Sequence, residues 1–358
     1  MELDPIALTR QLVDIDSTTY HEGRAGTFLA EYLERLGYVV ERQPVTQPDP
    51  SLTPGSGAEE RFNLYACVPG MRPVVVFSTH IDTVPPFFPS TEDQEFVYGR
   101  GSCDAKGIVA AQVAAAERLR RQEIFVGLLF VVGEERDSAG AAVANQHPRG
   151  SRYLINGEPT DNRLALASKG ALRVELRAKG QMAHSAYPEL GESAIDKLVN
   201  VLYDLQSMAL PVDSVGGEST MNVGLIAGGR APNVIADQAQ AHLLIRLVGS
   251  SVETREAILA IVGDRAQVDF SLDLPFIRMR AVGAMPTMIA KFTTDIPSLP
   301  AWGEPFLLGP GSIHVAHTPA ERIRKQELLE AVELYVSLTM TLLTEDRPER
   351  STDGADLL

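Results

Sequence analysis

The sequence predicts an α/β protein with a mixed, mostly parallel sheet between helices and a second, α+β domain inserted into the first. Three observations carry this reading. Val74-Val75-Val76-Phe77 and residues 124–132 are continuous apolar runs, the pattern of strands buried on both faces of a parallel sheet. Between them the Ala-rich stretch 107–119 reads as a helix, giving the order strand, helix, strand. From about Ser168 the pattern changes, and Leu172, Val174 and Leu176 alternate with polar residues as in a half-exposed strand.

Taken in order, Phe28, Leu29, Tyr32, Leu33 and Leu36 recur at three- and four-residue spacing before Gly37, which predicts an amphipathic helix and its stop. A strand carrying Val39 and Val40 follows. Residues 44–60 hold Pro44, Pro48, Pro50, Pro54, Gly55 and Gly57 and read as a loop. In the inserted block, Ile195, Leu198, Val199, Leu202 and Leu205 mark one face of a helix, and strands are expected near 220–227 and 238–248. Leu328, Leu329, Val332, Tyr335, Val336 and Leu342 predict a long final helix that returns to the first domain, and residues 344–358 read as a frayed polar tail.

Composition narrows the function. The 358 residues are 44% hydrophobic and 22% charged, enough for a real core. With 32 basic against 47 acidic residues the net charge is −15, which argues against a nucleic-acid partner held by clustered Lys and Arg. The longest apolar run is about half of the ~20 residues a membrane helix needs. Acidic residues open the chain where a signal peptide would be basic, and two cysteines make no disulfide framework, so a cytoplasmic location is expected.

Five residues stand where strands or loops meet the sheet. His80-Ile81-Asp82 follows the strand at 74–77, at the end where open α/β sheets bind ligands. There a histidine can hold a metal while the carboxylate two residues on orients its ring. Gly99-Arg100-Gly101-Ser102-Cys103-Asp104-Ala105-Lys106-Gly107 opens a helix but fits neither phosphate fingerprint: Asp104 stands where a dinucleotide motif needs Gly, and Ala105 where Walker A needs Gly. Asp104 is then either a helix N-cap or a metal ligand. Glu134-Glu135 closes the apolar strand at 124–132, and adjacent carboxylates there repel unless a cation or proton is shared. Glu158 follows another short apolar stretch, and His317 lies in a glycine-punctuated loop before the last helix. His80, Asp104, a glutamate of the Glu134-Glu135 pair, Glu158 and His317 form a mixed nitrogen and oxygen set suited to zinc, with cobalt or manganese as substitutes. Five ligands exceed one tetrahedral ion, whereas two ions sharing a carboxylate use them all.

On these segments, above all 99–107 and Gly133-Glu134-Glu135, the chain resembles the dinuclear zinc amidohydrolases and metallopeptidases that include acetylornithine deacetylase, succinyl-diaminopimelate desuccinylase, aminoacylase and the glutamate carboxypeptidases. The match runs in order along nearly the whole chain. The resemblance implies a zinc-peptidase-like catalytic domain over 1–168 and 280–358, with a lid and dimerisation domain over 169–279. It implies that Asp104 bridges two metal ions, that His80 and Glu158 complete one site and Glu135 and His317 the other, and that a cis peptide follows Asp104. Asp82 would orient His80, and Glu134 would be the general base toward a metal-bridging water. His314 competes with His317, and the spacing to Glu321 favours His317, as in the family's His-x-x-x-Glu pattern. In the inserted domain, Gly180-Gln181-Met182-Ala183-His184-Ser185 resembles the segment that sends a histidine across a homodimer into the partner's active site. Asn233 and Arg246 resemble substrate-side residues, although Leu244 stands where relatives often carry Asp.

The reaction expected is hydrolysis of an N-acyl amino acid amide, acetylornithine first, with dipeptides, carboxypeptidase substrates and succinylated substrates as alternatives. A silent dimeric ligand-binding relative would have lost its metal ligands, and all five are present. A serine hydrolase would need a Gly-x-Ser-x-Gly elbow, and none occurs. His21, His147 and His242 match no motif and are read as structural. Cys103 is read as a small packing residue.

Overall fold

The computed structural model describes residues 3–46 and 60–345. The chain divides into two compact units, one reaching to Ala165 and including Met279–Met288 and the stretch from Thr294, the other Leu166–Arg278 with Ile289–Thr293. Residues 289–293 therefore belong with the inserted block and not with the flanking chain. The cause is local: the Lys169 N–H donates to the Ala290 carbonyl at 3.0 Å and Ser168 Oγ to the Phe292 carbonyl at 2.8 Å.

The first unit contains α1 (Pro5–Val13), α2 (Gly23–Arg35), β1 (Val39–Pro44), β2 (Phe62–Cys67), β3 (Val75–His80), α3 (Lys106–Arg120), β4 (Gly127–Val131), α4 (Ala139–Asn145), β5 (Tyr153–Asn156), β10 (Glu304–Leu307) and α7 (Lys325–Glu345). Its six-stranded sheet has the order β1-β2-β4-β3-β5-β10. The last four of these strands run parallel, and β1 and β2 are antiparallel. The apolar runs are explained by burial on both faces. Along β4, Leu128 and Phe130 join the core that holds Val109, Val113 and Leu338, while Leu129 and Val131 join a second cluster around Trp302. Burying each such side chain stabilises by roughly 1.5–3 kcal/mol.

Two boundaries differ from the sequence reading. The strand expected from Ile124 starts at Gly127, because Glu123 takes a left-handed turn and the Ile124 N–H bonds back to the Leu119 carbonyl at the end of α3. Helix α1 was not apparent from periodicity, yet Asp4-Pro5 is an N-cap and first-turn proline, with Asp4 Oδ1 accepting from the Ile6 N–H at 2.9 Å. The loop expected at 44–60 and the tail at 344–358 fall largely outside the described residues. Pro44 itself ends β1, and α7 runs to Glu345.

The second unit holds β6 (Gly170–Lys179), α5 (Ala194–Gln206), β7 (Thr220–Gly228), β8 (Gln238–Leu247), α6 (Ser251–Val262) and β9 (Gln267–Leu274), with an antiparallel sheet in the order β7-β8-β6-β9. Leu172, Val174 and Leu176 face α5 residues Leu198, Val201 and Leu205 in one core. The alternation seen from Ser168 is the signature of that single covered face.

Candidate metal centre

Three neighbouring parallel strands, β4, β3 and β5, end at one place, and each carries an acid or histidine there. His80 is the last residue of β3, Glu134 and Glu135 follow β4, and Glu158 follows β5. Asp104 stands two residues before α3, on a loop that bends at Gly101, where φ is +87° and a Cβ would lie 2.8 Å from the Thr83 side chain. The Asp104–Ala105 peptide is cis. His317 lies between β10 and α7 with φ +62°, in the left-handed region.

These residues form two groups that share Asp104. His80, Asp104 and Glu158 offer ligand atoms within 4.8 Å of one another, and so do Asp104, Glu135 and His317. His80 Nε2 is 3.0 Å from Asp104 Oδ1 and 4.0 Å from Glu158 Oε2. His317 Nε2 is 3.2 Å from Asp104 Oδ2 and 3.0 Å from Glu135 Oε1. Ligands ~2.1 Å from a tetrahedral ion stand roughly 3.4 Å apart, so these donor separations fit zinc-sized cations. Among the described residues Glu158 Oε1 is buried without a hydrogen-bond partner, an acceptor left for a cation. His314 is exposed and belongs to neither group.

The electrostatics agree. Burial alone would lower the His80 pKa, but the nearby Asp104 and Asp82 carboxylates outweigh it and raise it well above the ordinary value. Contacts with Asp104 and Glu135 push His317 up to about 10. Burial raises Asp104, but the two histidines outweigh it and hold its carboxyl far down. Burial and the nearby Glu158 push the Glu134 carboxyl well above the usual range, and burial does the same to Glu158. Carboxylates crowded this way lack positive charge, which divalent cations supply.

Asp82 faces His80 through its main chain and, at longer range, through its carboxylate. His80 Nδ1 lies 3.0 Å from the Asp82 main-chain carbonyl and 3.6 Å from its carboxylate, beyond hydrogen-bond range. The carboxylate also binds the main chain. Its Oδ1 accepts from the N–H groups of Gly133 (2.9 Å) and Glu134 (3.1 Å), and its Oδ2 from Glu135 (3.2 Å) and the Thr19 hydroxyl (2.9 Å). It clamps the turn that presents both glutamates.

Other contributors have little or no local sequence signal. Thr19 is 63 residues from Asp82. The buried ion pair Arg61–Glu22 (2.9 Å) packs beside the same turn, with Arg61 Nη2 2.7 Å from where a Cβ on Gly133 would sit. Asp295 is buried, and burial pushes its carboxyl up to about 7. Cys103 is buried and its thiol pKa is raised strongly by burial, which suits packing and not nucleophilic attack.

The remaining candidates lie in the second unit. His184 bridges to Val234, its Nδ1 accepts from the Ala186 N–H at 3.1 Å, and the Ser185 N–H bonds to the Asn233 carbonyl. Arg246 stands on β8 opposite Ala171 of β6 and Thr220 of β7, half-buried, with its guanidinium pKa lowered by burial.

The mixed α/β sheet thus ends in two carboxylate–histidine groups around one shared aspartate, each able to hold a metal ion. Residues 76–341 match peptidase family M20/M25/M40, and the chain belongs to that family. It is 36% identical to a probable carboxypeptidase of Neosartorya fischeri, over 94% of this chain and 86% of that protein. Among solved structures, aminopeptidase PepT of Bacillus cereus matches with a TM-score of 0.76 and 20% identity, over 96% of this chain and 99% of that one. A dinuclear metal-binding M20 peptidase of Bacillus subtilis matches with a TM-score of 0.66 and 18% identity, over 94% and 98%. The protein is an M20-type metallo-hydrolase.

Proposed function

We propose that this enzyme releases an amino acid bearing a free α-carboxylate from a short peptide or an N-acyl amino acid, in the manner of a carboxypeptidase. The two ligand groups that share Asp104, with Glu134 beside them, carry this reading, and the probable carboxypeptidase among its relatives supports it. Acetylornithine falls within the same class as an N-acyl amino acid. His80, Asp104 and Glu158 would hold one ion and Asp104, Glu135 and His317 the other, zinc first and cobalt or manganese as substitutes. Such a pair would acidify a water and polarise the scissile carbonyl.

The chain's own residues do the rest. Glu134, which follows the strand end beside both ligand groups, takes the proton from the attacking water and delivers it to the leaving nitrogen. Asp82 holds the Glu134 backbone still while it does so. Arg246 binds the substrate α-carboxylate through its planar fork, with Asn233 as a second donor. His184 donates to the developing oxyanion, in a homodimer where each copy lends it to its partner. Ile195, Val199 and Tyr203 on α5 and Leu225 and Ile226 on β7 are exposed apolar residues that suit such a dimer. Cys67 and Cys103 are free thiols, in keeping with a cytoplasmic setting. Among the described residues no helix is long and apolar enough to cross a membrane.

The test is a substrate panel on zinc-loaded enzyme: short peptides with free and amidated C-termini, N-acetylornithine and succinyl-diaminopimelate. Turnover confined to substrates with the free carboxylate is expected. Equal kcat/KM on amidated peptides would refute the carboxylate anchor, and absent turnover with absent metal uptake would favour a silent binding relative.

A further inference from the structure

We propose that Glu321 is a positioning residue that locks the loop of Asp104 to the loop of His317. The proposal rests on the reading that the two ligand groups bind metal.

Glu321 is buried, with its side chain 1% exposed, and its carboxylate lies inside the Asp104 loop. Oε1 accepts three main-chain N–H groups, those of Gly101 at 2.9 Å, Asp104 at 3.1 Å and Cys103 at 3.3 Å. Three amides of one short loop converging on one anionic oxygen make a nest-like cradle for it, while the intervening Ser102 N–H bonds to the Gly99 carbonyl. Oε2 pairs with Arg100 Nη1 at 2.5 Å, and Arg100 Nε donates to the Pro86 carbonyl. The Glu321 carbonyl accepts from the Gly99 N–H at 3.2 Å. One residue thus binds four amides between Gly99 and Asp104. Glu321 also follows His317 by only four residues, and its own N–H donates to the Thr318 carbonyl. The only ligand that both groups share is therefore fastened to the segment that carries His317.

The two groups depend on this clamp unequally. His80 and Glu158 stand on or just after central strands of the sheet, which hold them without Glu321. His317 is half-exposed and sits on a loop, so its distance to Asp104 Oδ2 depends on the clamp. Weakening the clamp is expected to loosen the ion on the Glu135–His317 side before the other.

The experiment is a Co²⁺ titration of chelator-stripped full-length protein, followed by visible absorbance and by metal analysis. Wild type is expected to take two equivalents. Glu321→Ala is expected to keep one tight equivalent while the second weakens roughly 10–100-fold, the range for removing a group that orients ligands. The double variant Arg100→Met with Glu321→Gln keeps an acceptor oxygen in the nest and leaves no unpaired guanidinium. It is expected to recover the second equivalent, and Arg100→Met with Glu321→Leu is not. Unchanged binding of both equivalents by Glu321→Ala would overturn the proposal, as would equal weakening of both. Failure of wild type to bind any metal would instead overturn the metal-centre reading beneath it.

Discussion

Replacing Asp82 by Asn tests whether its carboxylate acts through the glutamate turn or through His80. The substitution keeps shape and one acceptor oxygen but exchanges the other for an NH₂ donor. The less damaging orientation keeps Oδ1 toward the Gly133 and Glu134 amides and turns the NH₂ toward Thr19 and Glu135. The Thr19 hydroxyl can rotate to accept, but the Glu135 N–H then faces a donor inside the protein. A stranded buried donor costs about 1–3 kcal/mol, and loss of charge weakens the two bonds that remain, for a total of about 3–5 kcal/mol. Against a stability of about 5–15 kcal/mol this is a large fraction, and at ~2–4 °C per kcal/mol the melting temperature should fall by about 10 °C. The pH sign follows from the direction of the shift. Burial would raise the Asp82 pKa, but His80, Thr19 and the amide bonds lower it below the ordinary aspartate value. The stabilisation is complete above that ordinary value and is lost as pH falls through the lower folded one, so the melting deficit should shrink in acid. The assay is calorimetry at several pH values, with kcat measured at saturating zinc. A displaced Glu134 predicts a kcat fall on the order of 100-fold even when fully loaded. Wild-type kcat in saturating zinc, with only the His80-side affinity reduced, would refute the clamp and restore the orienting role.

Glu134→Ala should abolish turnover while metal analysis still finds two ions per chain; loss of both together would make Glu134 a ligand and not the base. Arg246→Ala should raise KM about 10–100-fold on free-carboxylate substrates with little change in kcat, the cost of about 1.5–3 kcal/mol for a charged hydrogen-bonded pair; an unchanged KM would remove Arg246 from the substrate site. Lys106 is buried, its Nζ donates to the Ile15 carbonyl at 2.7 Å, and burial lowers its pKa from 10.5 to about 7. The unfolded chain then holds more protons between those values, so stability should rise with pH across that window by up to about 1.4 kcal/mol per unit. Urea titrations of Lys106→Met should show a shallower rise than wild type, and identical slopes would refute the buried, neutralised lysine.

What the sequence made legible follows from which interactions are local along the chain. The parallel strands could be read because both of their faces are buried, so Leu128 to Val131 are all apolar and no period interrupts them. The inserted unit could be read because only one face of its sheet is covered, which leaves the alternation of Leu172, Val174 and Leu176. Candidate ligands were visible because strands stop where the apolar run stops, and a charged residue at that point stands out. Roles carried by tertiary contacts were not visible. His80-Ile81-Asp82 suggests a ring paired with a carboxylate, but the sequence does not show that the same carboxylate also binds amides fifty residues away. Glu321 looked like a spacing marker, and only the fold brings Gly101, Cys103 and Asp104 around it. In both cases a carboxylate binds main-chain N–H groups, which every residue but proline carries, so the partner leaves no trace in the sequence. Acids that hold loops and acids that hold cations are alike in composition and differ in what faces their oxygens. Here Asp82 and Glu321 face amides, whereas Glu158 Oε1 faces no donor among the described residues.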